Sequence, residues 1–104
     1  MPEIKAFNAS DLAPNEIRQL IVDGRPPIAV YNLDGEYFAT DDTCTHGDAS
    51  LAEGDIDGDE IVCPFHMGTF DIRTGEACSA PCAFPLKTHT VRVDDDVIYI
   101  EIDA

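Results

Sequence analysis

The stretch IAVYNLDGEYFAT, residues 28–40, decides the fold. Two runs rich in β-branched and aromatic residues flank the dipeptide Asp34-Gly35, which supplies the two positive-φ positions that a type I′ turn needs. The stretch therefore predicts an antiparallel β-hairpin with strands over Ile28–Leu33 and Glu36–Thr40.

Short apolar runs of the same kind continue along the chain. Ile98, Ile100 and Ile102 alternate with polar positions, as in a half-buried strand. The other predicted strands cover Ile17–Val22, Glu60–Val62, Thr69–Ile72 and the stretch containing Val91 and Val93, with a polar turn at Asp94–Asp96. No stretch keeps a helical spacing of apolar residues for three turns; residues 11–20 come nearest, but Pro14 interrupts them. The expected fold class is all-β, a small antiparallel β-sandwich or barrel, with residues 1–104 as one domain.

The charge of the chain is strongly acidic. Its 104 residues include 21 acidic and 6 basic side chains, giving a net charge of −15 and a pI near 4.1. Such a charge argues against nucleic-acid or anionic-membrane binding, because phosphates would repel it.

The first twenty residues lack the features of a signal peptide, so we expect a cytoplasmic protein. In a reducing compartment, the four cysteines suggest metal binding before disulfides.

Two short motifs carry the metal chemistry. Cys44-Thr45-His46 is followed, after sixteen residues, by Cys63-Pro64-Phe65-His66. Each motif offers one thiolate and one imidazole on a tight loop after a predicted strand, so a rigid sheet could present the two loops side by side. The pattern predicts a metal centre held by Cys44, His46, Cys63 and His66. A tetrahedral zinc ion would accept the same four side chains.

The surrounding sequence resembles a known family. The segments CTHGDASLAEG (44–54) and CPFHMGTFDIRTGEA (63–77), with a later loop around Pro81, resemble the Rieske [2Fe–2S] family, specifically the small Rieske ferredoxins of bacterial aromatic-ring dioxygenase systems. The resemblance implies one [2Fe–2S] cluster per chain. Cys44 and Cys63 would hold the inner iron, His46 and His66 would hold the outer iron, and the proline-containing loop would cover the cluster.

The resemblance also implies a low reduction potential. Rieske centres span roughly −150 to +300 mV. In the high-potential relatives of respiratory complexes, a Ser and a Tyr bond to the cluster sulfurs, and a disulfide joins the two ligand loops. The matching positions here are Gly68 and Phe70 for the hydroxyls, and Asp48 and Phe65 for the disulfide. We therefore predict a midpoint near about −150 mV; a measured value above about 0 mV would contradict this interpretation.

The sequence lacks two motifs that an oxygenase or a nicotinamide-dependent reductase would need. A Rieske oxygenase also needs a mononuclear iron held by two His and one carboxylate, and only His89 remains for it. The chain also lacks a G-x-G-x-x-G element for a nicotinamide nucleotide. The resemblance thus implies a carrier, not an enzyme, that takes one electron from a flavoprotein NAD(P)H-dependent ferredoxin reductase to a terminal oxygenase.

Three alternatives stay open at this point. One is a redox subunit of another system, such as a nitrite reductase small subunit or a different monooxygenase. The second is a structural Cys₂His₂ zinc domain. The third is an oxidant sensor based on Cys78 and Cys82, although we expect these to be packed thiols without chemistry.

Two further predictions concern His89 and the acidic residues around the two motifs. His89 is expected at the surface near the end of a strand. Eight acidic residues lie between Asp41 and Glu60, and we expect their field to steer docking to basic surfaces on both partners.

Overall fold

The computed structural model describes residues 3–43, 49–64, 68–79 and 85–101. Within these ranges the chain forms ten β-strands and two short 3₁₀ turns. The strands are β1 Glu3–Asn8, β2 Ile17–Leu20, β3 Ile28–Leu33, β4 Glu36–Asp41, β5 Asp55–Asp57, β6 Glu60–Val62, β7 Thr69–Asp71, β8 Ala77–Ser79, β9 Thr88–Asp94 and β10 Val97–Glu101; the turns are Ala9–Asp11 and Leu51–Glu53. The all-β prediction is confirmed. No helix in the described part of the chain has the length and apolar character to cross a membrane.

The strands form two antiparallel sheets. The larger has six strands in the order β1-β10-β9-β4-β3-β2, and the smaller has four in the order β5-β6-β7-β8. Strand β9 joins the two halves of the larger sheet: it pairs with β10, and its first residues, Thr88 and His89, also pair with β4. The curled antiparallel sheet forms a half-barrel, so the predicted small sandwich or barrel takes this form.

The hairpin turn at Asp34-Gly35 has the predicted type, and the predicted polar turn at Asp94–Asp96 has similar backbone angles. Asp34 and Gly35 have φ angles of 52° and 96° between the paired residues Leu33 and Glu36, which confirms the type I′ turn. Asp95 and Asp96 form the equivalent turn between β9 and β10, with φ angles of 51° and 63°. Aspartate tolerates this left-handed conformation better than most side chains.

Strand β3 lies at the centre of the packing, with all six residues buried. Ala29, Tyr31 and Leu33 belong to one apolar cluster, which also contains residues of the smaller sheet. Ile28 and Val30 belong to a second cluster with the alternating isoleucines of β10. Because side chains alternate along a strand, this one continuous apolar run contributes to two cores.

Some element boundaries differ from the predictions. Strand β2 ends at Leu20 and β7 at Asp71, each earlier than predicted. Residues 11–20, the nearest approach to a helical pattern, contain β2 instead. The sequence does not predict strands β1, β5 and β8. With the sequences DID and ACS, β5 and β8 contain at most one β-branched residue each and so lack the apolar run of a recognisable strand. Ile102 lies outside the described residues.

Candidate metal centre

Of the four predicted ligands, the structure describes one. Cys63 is fully buried, whereas Cys44, His46 and His66 lie outside the described residues. Within the described ranges no three His, Cys, Asp or Glu side chains form a metal-binding group. The described part of the site consists of Cys63 and the segments that lead into and out of the ligand loops.

The second ligand loop is closed at its base. Strand β6 ends at Val62, and the backbone N–H of Cys63 donates to the Gly68 carbonyl oxygen at 2.8 Å. Strand β7 begins directly afterwards, with Phe70 paired to Ile61 of β6. Cys63 thus starts a short hairpin loop that the sheet fixes at both ends.

The first ligand loop is also closed at its base. Thr43 and Ser50 form an isolated antiparallel bridge, and the Leu51 N–H donates to the Asp42 carbonyl oxygen at 2.8 Å. The bridge therefore brings the two described ends of this loop together. The 3₁₀ turn Leu51–Glu53 then packs near β2 and β3.

The segments that flank the two ligand loops approach each other at Gly54. A Cβ atom there would lie 2.1 Å from the Val62 carbonyl oxygen and 3.3 Å from Cδ of Pro64. The segment after the first loop therefore passes close to the Val62 backbone and the Pro64 ring, on either side of Cys63. Only glycine fits this close approach.

A third loop begins and ends beside the same sheet. Thr69 of β7 pairs with Ser79, and the Leu86 N–H donates to the Gly75 carbonyl oxygen at 2.7 Å. Gly75 has a φ of +81°, and a Cβ there would lie 2.3 Å from the Leu86 carbonyl oxygen. Pro81, predicted to cover the cluster, lies outside the described residues.

Residues at the bases of all three loops belong to one apolar core. Ala49 after the first loop, Cys63 in the second and Leu86 after the third belong to the same buried apolar cluster, together with Leu51 and Phe70. A buried thiol at a loop base suits a thiolate ligand shielded from water, and thiolates with imidazoles suit iron–sulfur clusters and zinc. The one described ligand, Cys63, fits a thiolate-bound metal centre such as an iron–sulfur cluster or zinc.

The Ser and Tyr hydroxyls of the high-potential relatives have no counterpart here, because the matching positions are Gly68 and Phe70. Phe70 is fully buried, and Gly68 is buried as well. Side chains without a donor at these positions are consistent with the predicted low potential, which stays a prediction.

The prediction for His89 is wrong. The residue lies near the start of β9, as expected, but its side chain is 1% exposed. Its Nε2 lies 2.8 Å from Oδ1 of Asp41, which also pairs with Arg25. A carboxylate only accepts hydrogen bonds, so Nε2 carries the proton here. This group joins the 21–27 loop, β4 and β9.

The prediction of a packed thiol is wrong for Cys78. The residue is exposed on β8. Desolvation raises the pKa of its thiol, and the negative charges of Glu60 and Asp71 raise it further. A raised pKa lowers the thiolate fraction, which weighs against an oxidant sensor at this position. Cys82 lies outside the described residues.

The acidic segment is less uniform than its sequence indicates. Asp41 is paired, Asp42 is buried, and Asp48 lies outside the described residues. The exposed acids of this segment are Glu53, Asp55, Asp57 and Asp59, which we call the acidic face. The predicted docking charge is therefore concentrated on and around β5, beside the segment that leads to Cys63.

Comparison with known proteins identifies the family. Residues 3–90 match the model of the Rieske [2Fe–2S] domain, so the chain belongs to this family, whose cofactor is a Rieske-type [2Fe–2S] cluster. Among curated proteins it is similar to ferredoxin CarAc of Metapseudomonas resinovorans, with 46% identity over 93% of this chain and 91% of the relative. It is also 45% identical to the ferredoxin component of the p-cumate 2,3-dioxygenase system of Pseudomonas putida, over 90% of this chain and 80% of the relative.

Solved structures agree with this assignment. A chain in the complex of reduced oxygenase and oxidized ferredoxin in carbazole 1,9a-dioxygenase matches with a TM-score of 0.92 and 46% identity, over 94% of this chain and 91% of that one. The Sphingomonas yanoikuyae B1 ferredoxin matches with a TM-score of 0.92 and 40% identity, over 98% of this chain and all of that one. A putative nitrite reductase small subunit shares the fold, with a TM-score of 0.80 at 24% identity.

Proposed function

We propose that this protein is the electron carrier of an aromatic-ring dioxygenase system, and not an enzyme by itself. It would accept one electron from a flavoprotein NAD(P)H-dependent ferredoxin reductase and pass it to the terminal oxygenase. The observation that carries this proposal is the near full-length similarity to a ferredoxin whose structure was solved with its oxygenase. The nitrite reductase alternative has the fold alone in its support.

The proposed ligands are Cys44, His46, Cys63 and His66. When bound, the cluster supplies a one-electron acceptor and donor at a potential that imidazole ligands raise above that of all-thiolate clusters. The chain buries Cys63, fixes the bases of the ligand loops and excludes water from the inner side of the site. His46 and His66 would lie on the outer side, toward an approaching partner.

The partners are expected to present basic surfaces near their cofactors. The acidic face lies on and around β5, next to the strand that leads into Cys63. A negative field there would speed the encounter with a basic partner without requiring a large contact area. A carrier must also dissociate after each electron, which favours a small and polar interface. We propose that the protein acts in the cytoplasm, because its proposed electron donor is a nicotinamide-dependent reductase.

Stopped-flow measurement of electron delivery tests this function. The reduced protein is mixed with the oxidised oxygenase of the carbazole system, and its reoxidation is followed. We expect fast reoxidation that slows at least about tenfold as ionic strength rises from about 0.01 to about 1 M, because screening shortens the range of the field. Reoxidation that the oxygenase does not accelerate would contradict the proposed function.

A charge-matched pair of variants tests the acidic face. Asp55→Asn with Asp57→Asn is expected to slow the low-salt reaction and to reduce its salt dependence. The control, Asp34→Asn with Asp95→Asn, removes the same charge from the two hairpin turns at the far ends of β4 and β9, where asparagine tolerates the positive φ. Equal effects of the two pairs would assign the salt dependence to net charge alone.

A further inference from the structure

Asp42 is a buried carboxylate directly before the first ligand loop. It follows β4, precedes Cys44 by two residues and is 2% exposed. Its Oδ2 accepts hydrogen bonds from Gln19 Nε2 at 2.7 Å and from Ser50 Oγ at 2.6 Å. Its Oδ1 accepts one from the backbone N–H of Ala52 at 2.9 Å. A buried charge is tolerated when donors surround it in this way.

These bonds join segments that are distant along the chain. Gln19 belongs to β2, Ser50 ends the first ligand loop, and Ala52 belongs to the 3₁₀ turn after it. The backbone of Asp42 takes part as well: its carbonyl accepts from the Leu51 N–H, and its N–H donates to the Pro27 carbonyl oxygen at 3.0 Å. One residue thus fixes both ends of the first ligand loop and attaches them to the sheet.

We propose that Asp42 is a positioning residue for the metal centre, whose carboxylate holds the first ligand loop closed and thereby sets how long the protein retains its metal. The inference rests on the proposed placement of ligands in that loop. The closure at Asp42 is made of hydrogen bonds from its carboxylate and its backbone. Breaking it would let the loop open without unfolding the sheets.

Substitution of Asp42 by asparagine weakens the side-chain part of this closure at nearly constant volume and leaves its backbone bonds in place. The amide nitrogen of asparagine cannot accept the hydrogen bond from Gln19 Nε2, and the charge that strengthens the remaining bonds is lost. Ser50→Ala is a milder change that removes one donor and leaves the carboxylate in place. Asp34→Asn, in the distant β3–β4 turn, is the matched control for the loss of one charge.

Metal release into a chelator measures the effect on the folded protein. We expect Asp42→Asn to lose its metal at least about tenfold faster than the wild type, Ser50→Ala about threefold faster and Asp34→Asn at the wild-type rate. Amide hydrogen exchange separates loop opening from a general loss of stability. The amides of Leu51 and Ala52 should exchange faster in Asp42→Asn, while those of Ile98 and Ile100 keep their wild-type rates.

Release from Asp42→Asn at the wild-type rate would overturn the inference, as would a uniform increase in exchange that includes β10. If Asp42→Asn does not fold, Ser50→Ala decides, and wild-type release from that variant overturns the inference. Release is followed for whichever metal the purified protein carries. A zinc-loaded wild type would therefore refute the proposed function while still testing the role of Asp42.

Discussion

Cys63→Ser yields a folded protein without the cluster. Serine has nearly the volume of cysteine, so the buried position after β6 can hold it with little change in packing. Its hydroxyl stays protonated near neutral pH and is a poor ligand for iron, and one lost ligand breaks the set of four. We expect at least about tenfold less iron per chain, and loss of the visible absorbance.

Cys78→Ser is the matched control for this change. Cys78 is an exposed thiol on β8, outside the proposed ligand set. Its replacement should leave the iron content and the absorption spectrum at wild-type values. Equal loss of iron from both variants would contradict the assigned ligands, and so would full retention by Cys63→Ser.

Gly54→Ala is expected to destabilise the protein by about 3 kcal/mol, because the added methyl group meets the backbone. The φ of Gly54 is −86°, an ordinary value, so the cost comes from contact alone. The Cβ would lie 2.1 Å from the Val62 carbonyl oxygen and 3.2 Å from that of Leu51. Neither atom can move away by a change of rotamer, so the segments that carry the two ligand loops must separate.

Gly58→Ala separates this contact from ordinary glycine effects. Gly58 has a φ of +62°, and a Cβ there meets nothing within 4 Å. The expected cost is about 1 kcal/mol, from the left-handed conformation alone. Urea unfolding of the two variants beside the wild type measures both values. A cost for Gly54→Ala no larger than that for Gly58→Ala would show that the loops do not depend on this contact.

Local chemistry made part of the fold predictable. Asp34-Gly35 specifies its turn through backbone angles that few residues adopt, so the central hairpin follows from the sequence. Strands β5 and β8 carry no comparable signal, because their sequences DID and ACS contain at most one β-branched residue each, and they depend on pairing with a neighbouring strand.

The site was predictable to the same limited extent. The spacing of Cys and His indicates the ligands, since metal-binding loops place them within a few residues. Nothing in the sequence separates Asp42 from Asp41, yet Asp42 is buried and bonded to Ser50 and Ala52, whereas Asp41 pairs with Arg25 and His89. The position of His89 likewise depends on Asp41, 48 residues away, and no local pattern reports such a contact.

We propose that both cysteine and histidine hold the iron–sulfur cluster of this chain. Absorption and EPR spectra of anaerobically purified protein, before and after reduction with dithionite, test it most directly. We predict a brown protein whose reduced form gives a rhombic signal with an average g value below that of the free electron. A colourless, EPR-silent protein that contains zinc would contradict the account.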